Sequence, residues 1–120
     1  MNKKVLIVDD EKPLARALEL KLAHEGFDVK AVYNGTEAID ALKSDDFDLV
    51  LLDLIMPQQD GFQVLQDIQQ LKIKTIVIVS SNLSQEEDVT RAKSLGAVDY
   101  FVKSDTTLVD IIAKIKGYLV

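Results

Sequence analysis

The chain has 120 residues, 48% of them hydrophobic, with no cysteine and no tryptophan, and 14 Lys and Arg against 20 Asp and Glu for a formal net charge of −6. That length suits one domain burying about two-thirds of the surface its unfolded chain would expose, and the missing cysteines exclude a disulfide scaffold, thiolate metal sites and a cysteine nucleophile. The acidic balance, with no cluster of Lys and Arg, argues against nucleic-acid binding. No apolar run approaches the length of a bilayer span, and Asp9 and Asp10 cut the first run off after Val8. Neither a membrane segment nor a signal peptide is expected, and a cytoplasmic domain is.

Five apolar runs alternate with five amphipathic segments. Val5–Val8 is continuously apolar, as a strand covered on both faces should be. It leads through Asp9, Asp10 and Glu11 into a segment opened by Pro13, where Leu14, Ala17, Leu18 and Leu22 form a helical stripe that Gly26 should end. Phe27–Val32, interrupted by Asp28 and Lys30, reads as a strand nearer an edge. Leu49–Leu52 is continuous again and runs into Asp53. An Asp60-Gly61 turn opens the segment whose stripe is Val64, Leu65, Ile68 and Leu71. Ile76–Val79 ends in Ser80, Ser81 and Asn82, and Ser84 with Glu87 three residues later has capping-box spacing for a fourth helix that Gly96 should stop. Val98–Val102, broken by Asp99, ends in Lys103; Leu108, Ile111, Ile112, Ile115 and Leu119 make the last stripe. This alternation implies right-handed crossovers and a doubly wound α/β fold, a five-stranded parallel sheet with helices on both faces.

Ligands of such sheets sit beyond the carboxyl ends of the strands. Asp9, Asp10, Asp53, a serine hydroxyl and the Lys103 ammonium all fall there. Two carboxylates about 4 Å apart repel by roughly 4 kcal/mol at an effective dielectric of about 20, so the three acids stay ionised together only beside a cation. A hard divalent ion with oxygen ligands, Mg²⁺ above all, meets that need, and also neutralises the oxygens of an incoming phosphoryl group. Lys103 supplies a point charge for another phosphoryl oxygen. Each feature alone has a plainer reading. Asp9-Asp10 would be an acidic helix cap and His24 a cation at a helix end; Ser80 and Ser81 would be turn residues, Lys103 a solvated lysine, and Tyr100 an edge-strand aromatic. Asp53, directly after four apolar residues, is the hardest to place without a partner. Their convergence on one sheet edge favours the functional reading.

The Asp9-Asp10 pair, Asp53, the turn Met56-Pro57-Gln58-Gln59-Asp60-Gly61, the serine after the fourth strand and Tyr100-Phe101-Val102-Lys103 together resemble the CheY-like receiver domain of bacterial two-component response regulators, over the whole chain (residues 1–120). The resemblance implies a flavodoxin-like (βα)5 fold with strand order 2-1-3-4-5. It also implies a phosphorylation switch in which a sensor histidine kinase, or a phosphotransfer protein, donates to Asp53 with Mg²⁺ (or Mn²⁺) bound. By it, Asp10 coordinates the metal directly, Asp9 helps to hold it, and Asp53 and the Ile55 backbone carbonyl complete the protein ligands. Lys103 pairs with the phosphoryl group. The family's spacing to the lysine and to Gly96 selects Ser81 over Ser80 as the switch hydroxyl, and Tyr100 occupies the aromatic switch position. Phosphorylation is expected to pull Ser81 toward Asp53 and let Tyr100 pack inward, reshaping the surface of the fourth helix, fifth strand and fifth helix for a downstream effector.

The chain departs from the family pattern where Ser104 replaces the usual proline after the lysine, where serine stands for threonine, and where Asn82 replaces a small residue. Its last helix also lacks the arginines through which some members dimerise. Two rival readings remain. A haloacid-dehalogenase-like phosphohydrolase would need an acid two residues after Asp53, where Ile55 stands, so a regulatory domain rather than an enzyme is expected. A pseudo-receiver scaffold would have lost the acceptor, the acidic pair or the lysine. A P-loop switch is excluded by the absence of its motif. No effector domain follows Val120 in the sequence, which suits a stand-alone regulator or an excised module.

Overall fold

The computed structural model describes residues 2–56 and 60–119. Five strands, β1 (Lys4–Val8), β2 (Asp28–Val32), β3 (Leu49–Leu52), β4 (Ile76–Ser81) and β5 (Asp99–Val102), alternate with five helices. These are α1 (Lys12–His24), α2 (Gly35–Ser44), α3 (Gly61–Gln70), α4 (Glu86–Ser94) and α5 (Leu108–Leu119), and a short 3₁₀ turn, Lys103–Asp105, follows β5. All neighbouring strands are parallel, in the order β2-β1-β3-β4-β5. The expected fold class is the observed one. The three continuous apolar runs are the central strands, and the two interrupted by polar residues are the edges, as the burial of each strand's faces demands.

Side chains alternate across the sheet and divide the core in two. Leu6, Val8, Val50, Leu52, Val77 and Val79 pack against α2, α3 and α4, while Val5, Ile7, Leu49, Leu51 and Ile78 pack against α1 and α5. The predicted stripes supply most of the helical side: Leu18 and Leu22 from α1, Val64, Leu65 and Ile68 from α3, and Ile111, Ile112 and Ile115 from α5 are buried. Leu71 is 46% exposed, because α3 ends at Gln70 and Leu71 lies beyond its last turn.

Two strands begin one residue later than the sequence pattern suggests; the helix end before β2 explains the first, while at β5 the Val98 N–H already donates to the Val77 carbonyl at 2.8 Å. After α1, Gly26 takes φ +97°, its N–H donates to Ala23 and the Phe27 N–H donates to Leu22. After α4, Gly96 takes φ +110° and the Ala97 N–H donates to Ala92. Both ends are Schellman caps, which draw the following residue back onto the helix. Phe27 is thereby spent on closing α1, and β2 starts at Asp28. The capping box expected of Ser84 and Glu87 does not form. Gln85 is the N-cap of α4 and makes no side-chain capping bond; Glu86, Glu87 and Asp88 in the first turn answer the helix dipole instead. Among the described residues, no helix is long and apolar enough to cross a membrane.

Candidate functional site

The carboxyl ends of β1 and β3 are locked side by side. Val8 pairs with Leu52, the Asp53 N–H donates to the Val8 carbonyl at 2.9 Å, and the Asp9 N–H donates to Val32 at 3.1 Å. The ladder thus runs one residue past the apolar strands and carries Asp9 and Asp53 into the same pocket, 4% and 5% exposed. One carboxylate oxygen from each of Asp9, Asp10 and Asp53 falls within 4.8 Å of the others, with Asp10 on the exposed side. Their remaining acceptor capacity is partly used by the backbone: Asp9 Oδ1 accepts from the Glu11 N–H and Asp53 Oδ1 from the Ile55 N–H.

β5 sends Lys103 into this pocket from the far side of the sheet. Its Nζ lies 2.7 Å from Asp9 Oδ2, 3.1 Å from Asp53 Oδ2 and 3.2 Å from Glu11 Oε1, and its side chain is 8% exposed. Burial pushes the Asp53 and Asp9 carboxyls above their ordinary range, and the Lys103 ammonium pulls both part of the way back. For Lys103 itself burial works against the charge, but the two carboxylates outweigh it and raise its pKa. The sequence offers a divalent ion as the cation these acids need; the fold adds Lys103 as a counter-ion of the chain's own.

Of the two candidate serines, Ser81 and not Ser80 is among the groups that pull the Asp53 carboxyl back down, and it is the weakest of them. Ser81 is fully buried, its Oγ accepts at 3.3 Å from the Leu83 N–H, and the Leu83 carbonyl accepts at 2.6 Å from the Tyr100 hydroxyl. Tyr100 is half-buried against the α2–α3–α4 side of the core.

The response regulator receiver domain family matches residues 5–116. The chain belongs to that family. Three solved receivers and regulators show how far the likeness runs. The receiver domain of the Francisella response regulator 1452 is 28% identical, with a TM-score of 0.90 over 98% of this chain and 96% of that one. A two-component response regulator from Clostridium difficile is 26% identical, with a TM-score of 0.91 and the same coverage of 98% and 96%. The response regulator TrrA from Thermotoga maritima, solved in complex with Mg²⁺–BeF, is 30% identical, with a TM-score of 0.83 over 97% and 98% of the two chains.

The acidic cluster of this receiver fits Mg²⁺ by its donor set. Neighbouring corners of an octahedron with bonds of about 2.1 Å lie about 3.0 Å apart and opposite corners about 4.2 Å, so three carboxylate oxygens already within 4.8 Å of one another would meet one ion by closing in about 1–2 Å. Part of the expected Met56–Gly61 turn, residues 57–59, lies outside the described residues. Its last residue has a role that sequence alone does not disclose. A Cβ on Gly61 would stand 2.5 Å from the Asp53 carbonyl oxygen and 2.7 Å from Leu54 Cα, and the Gly61 N–H donates to Leu54 at 2.9 Å. Glycine here lets the start of α3 press onto the backbone of Asp53, with Asp60 as N-cap accepting from Gln63. Glu11, on Lys103, and Asn82, on Ser104, are further contacts that the sequence reading did not assign. The Lys103–Ser104 linkage is not cis, and Ser104 lies in the 3₁₀ turn.

Proposed function

We propose that this receiver is a phosphorylation switch whose acceptor is Asp53. An Asp53 carboxylate oxygen forms the O–P bond as the N–P bond of a donor phosphohistidine, on a sensor kinase or phosphotransfer protein, breaks and its electron pair stays with the histidine nitrogen. Mg²⁺, or Mn²⁺ in its place, would be held by Asp10, Asp9, Asp53 and the Ile55 backbone carbonyl, and would supply positive charge to the transferring oxygens. The Lys103 ammonium holds one phosphoryl oxygen and the Ser81 hydroxyl donates to another. The observation that supports this most is the Lys103 ammonium 3.1 Å from the buried Asp53 carboxylate, with Asp9 and Asp10 beside it. An ordinary surface acid would have no such surroundings.

The output follows from hydrogen bonds already present. Ser81 Oγ accepts from the Leu83 N–H, and the Leu83 carbonyl accepts from Tyr100. When Ser81 turns to the phosphoryl group it releases Leu83, and the Tyr100 contact changes with it. The phosphoryl group thus favours one of two arrangements of the β4–α4 loop, a population shift read on the surface of α4, β5 and α5 by a downstream partner. With Ile55 where a hydrolase would carry its second acid, turnover is confined to the domain's own phosphoryl group. Adding beryllofluoride with Mg²⁺ should shift the amide resonances of residues 97–103 in the wild type and leave them unmoved in Asp53→Asn. Equal shifts in both proteins, or none in the wild type, would contradict the switch.

A further inference from the structure

Two of the chain's departures from the receiver pattern touch each other. Ser81 and Val102 are the last registered pair of β4 and β5. Beyond them the backbones part, one toward α4 and the other into the turn Lys103–Asp105. At the fork, the Ser104 N–H donates to Asn82 Oδ1 at 3.1 Å. The side-chain amide stands in for the missing backbone carbonyl and carries the ladder one step further. A proline at 104 would have no N–H to give, and a small side chain at 82 would have nothing to receive it. Each departure makes sense only beside the other.

The residues on either side of this bond matter. Asn82 follows Ser81, the proposed switch hydroxyl, and Ser104 follows Lys103, whose ammonium lies 3.1 Å from Asp53. The turn is braced from behind, with Thr106 Oγ1 donating to the Val102 carbonyl at 2.9 Å and the Thr106 N–H to Lys103 at 3.3 Å. Only the Asn82 contact ties it forward to the β4–α4 loop among the hydrogen bonds described for these residues. We infer that Asn82 is a positioning residue for phosphoryl transfer: it clasps the Ser81 loop to the Lys103 turn, so that hydroxyl and ammonium reach the phosphoryl group as one pre-set pair. Such pre-organisation lowers the cost of assembling the site at the moment of transfer. The inference rests on the proposed function of Asp53.

Asn82 and Ser104 are both exposed, so variants there leave the core intact. The first readout is hydrogen exchange of the Ser104 amide, which requires no phosphoryl group. Asn82→Ala should speed it about two- to fivefold, the effect of losing one solvent-facing hydrogen bond, and Asn82→Asp, which keeps an acceptor oxygen at the same reach, should not. The second is the rate of phosphoryl uptake from acetyl phosphate with Mg²⁺, in a cycle of Asn82→Ala, Ser104→Pro and both together. Asn82→Ala should slow uptake about two- to fivefold in the wild-type background and have little effect once Ser104→Pro has removed the donor. An equal effect of Asn82→Ala in both backgrounds would mean that residue 82 acts by its bulk, and would overturn the clasp. So would Ser104 exchange that ignores Asn82→Ala. A wild type that takes up no phosphoryl group would overturn the reading of Asp53 instead, and the exchange data would still decide whether the clasp exists.

Discussion

Removing the Lys103 ammonium is the most searching perturbation of the site, because two buried carboxylates lean on it. At an effective dielectric of about 20, its attractions to Asp9 at 2.7 Å and Asp53 at 3.1 Å are roughly 6 and 5 kcal/mol before any cost of burial. The desolvation of three charged groups consumes most of that sum. Deleting one partner, however, leaves the other charges buried and unpaired, which costs about 3–5 kcal/mol. Asp9 and Asp53 can escape part of the penalty by taking up a proton, so Lys103→Met, which keeps the stem length, should lose about 2–4 kcal/mol near neutral pH in EDTA. The pH dependence follows from the shifts. The Lys103 pKa is raised by folding, so its contribution is complete below the unfolded value near ~10.4 and is lost as pH rises through the folded value. Asp9 and Asp53 are also raised, so their own linkage favours the fold below about pH 3.9 and fades as pH rises through their folded values. The gap between wild type and variant should therefore narrow toward acid, where the carboxylates no longer need a cation. Mg²⁺ should narrow it too, since an ion at a hundred times its Kd adds about 2.7 kcal/mol and binds the variant without a competing ammonium. Urea titrations in EDTA and in Mg²⁺ at several pH values read all of this. A Lys103→Met protein as stable as wild type in EDTA at neutral pH would refute the reasoning.

Three more perturbations follow from the same geometry. Gly61→Ala places a methyl group against the Asp53 carbonyl and should cost about 1–3 kcal/mol in a thermal melt, with slower phosphoryl uptake as Asp53 is displaced; an unchanged melting temperature and rate would show that α3 moves aside freely. Asp10→Asn should weaken Mg²⁺ binding strongly, yet shift stability in EDTA by under about 0.5 kcal/mol, since Asp10 faces water and Lys103 already answers Asp9 and Asp53; calorimetric titration with Mg²⁺ and a urea curve test the two halves separately. The phosphorylated state should be long-lived, because Ile55, half exposed at the pocket mouth, and Leu83 offer no group to orient an attacking water. Ile55→Asn with Leu83→Glu should speed the decay in Mg²⁺ buffer, and equal decay rates would remove the argument.

What could be read from the sequence divides along a physical line. The division into central and edge strands and the helix stops at Gly26 and Gly96 follow from patterns carried within short windows, whereas the strand order came with the family resemblance; all appear in the fold. The meeting of Asp9, Asp10 and Asp53 was legible because a parallel sheet puts every strand's carboxyl end on one edge. Lys103 was legible as a residue of that edge, but not as the counter-ion of Asp9, since β3 and β4 lie between β5 and β1 in the sheet. The close approach of Gly61 to Asp53 and the bond from Ser104 to Asn82 were not legible at all. Both depend on how closely two loops approach in space, 2.5 Å from a Cβ at Gly61 to the Asp53 carbonyl oxygen and 3.1 Å from Ser104 to Asn82, which no local pattern encodes. The helix start at Ser84 missed by one residue: α4 takes Gln85 as its N-cap, which leaves Ser84 outside the helix and Glu87 out of capping-box spacing.

The central claim is that Asp53 is the acceptor, and the most direct test is covalent. Wild-type protein incubated with acetyl phosphate and Mg²⁺ should gain the mass of one phosphoryl group; the gain should vanish in EDTA, and it should vanish in Asp53→Asn with Mg²⁺ present. Labelling of Asp53→Asn equal to that of the wild type would contradict the account.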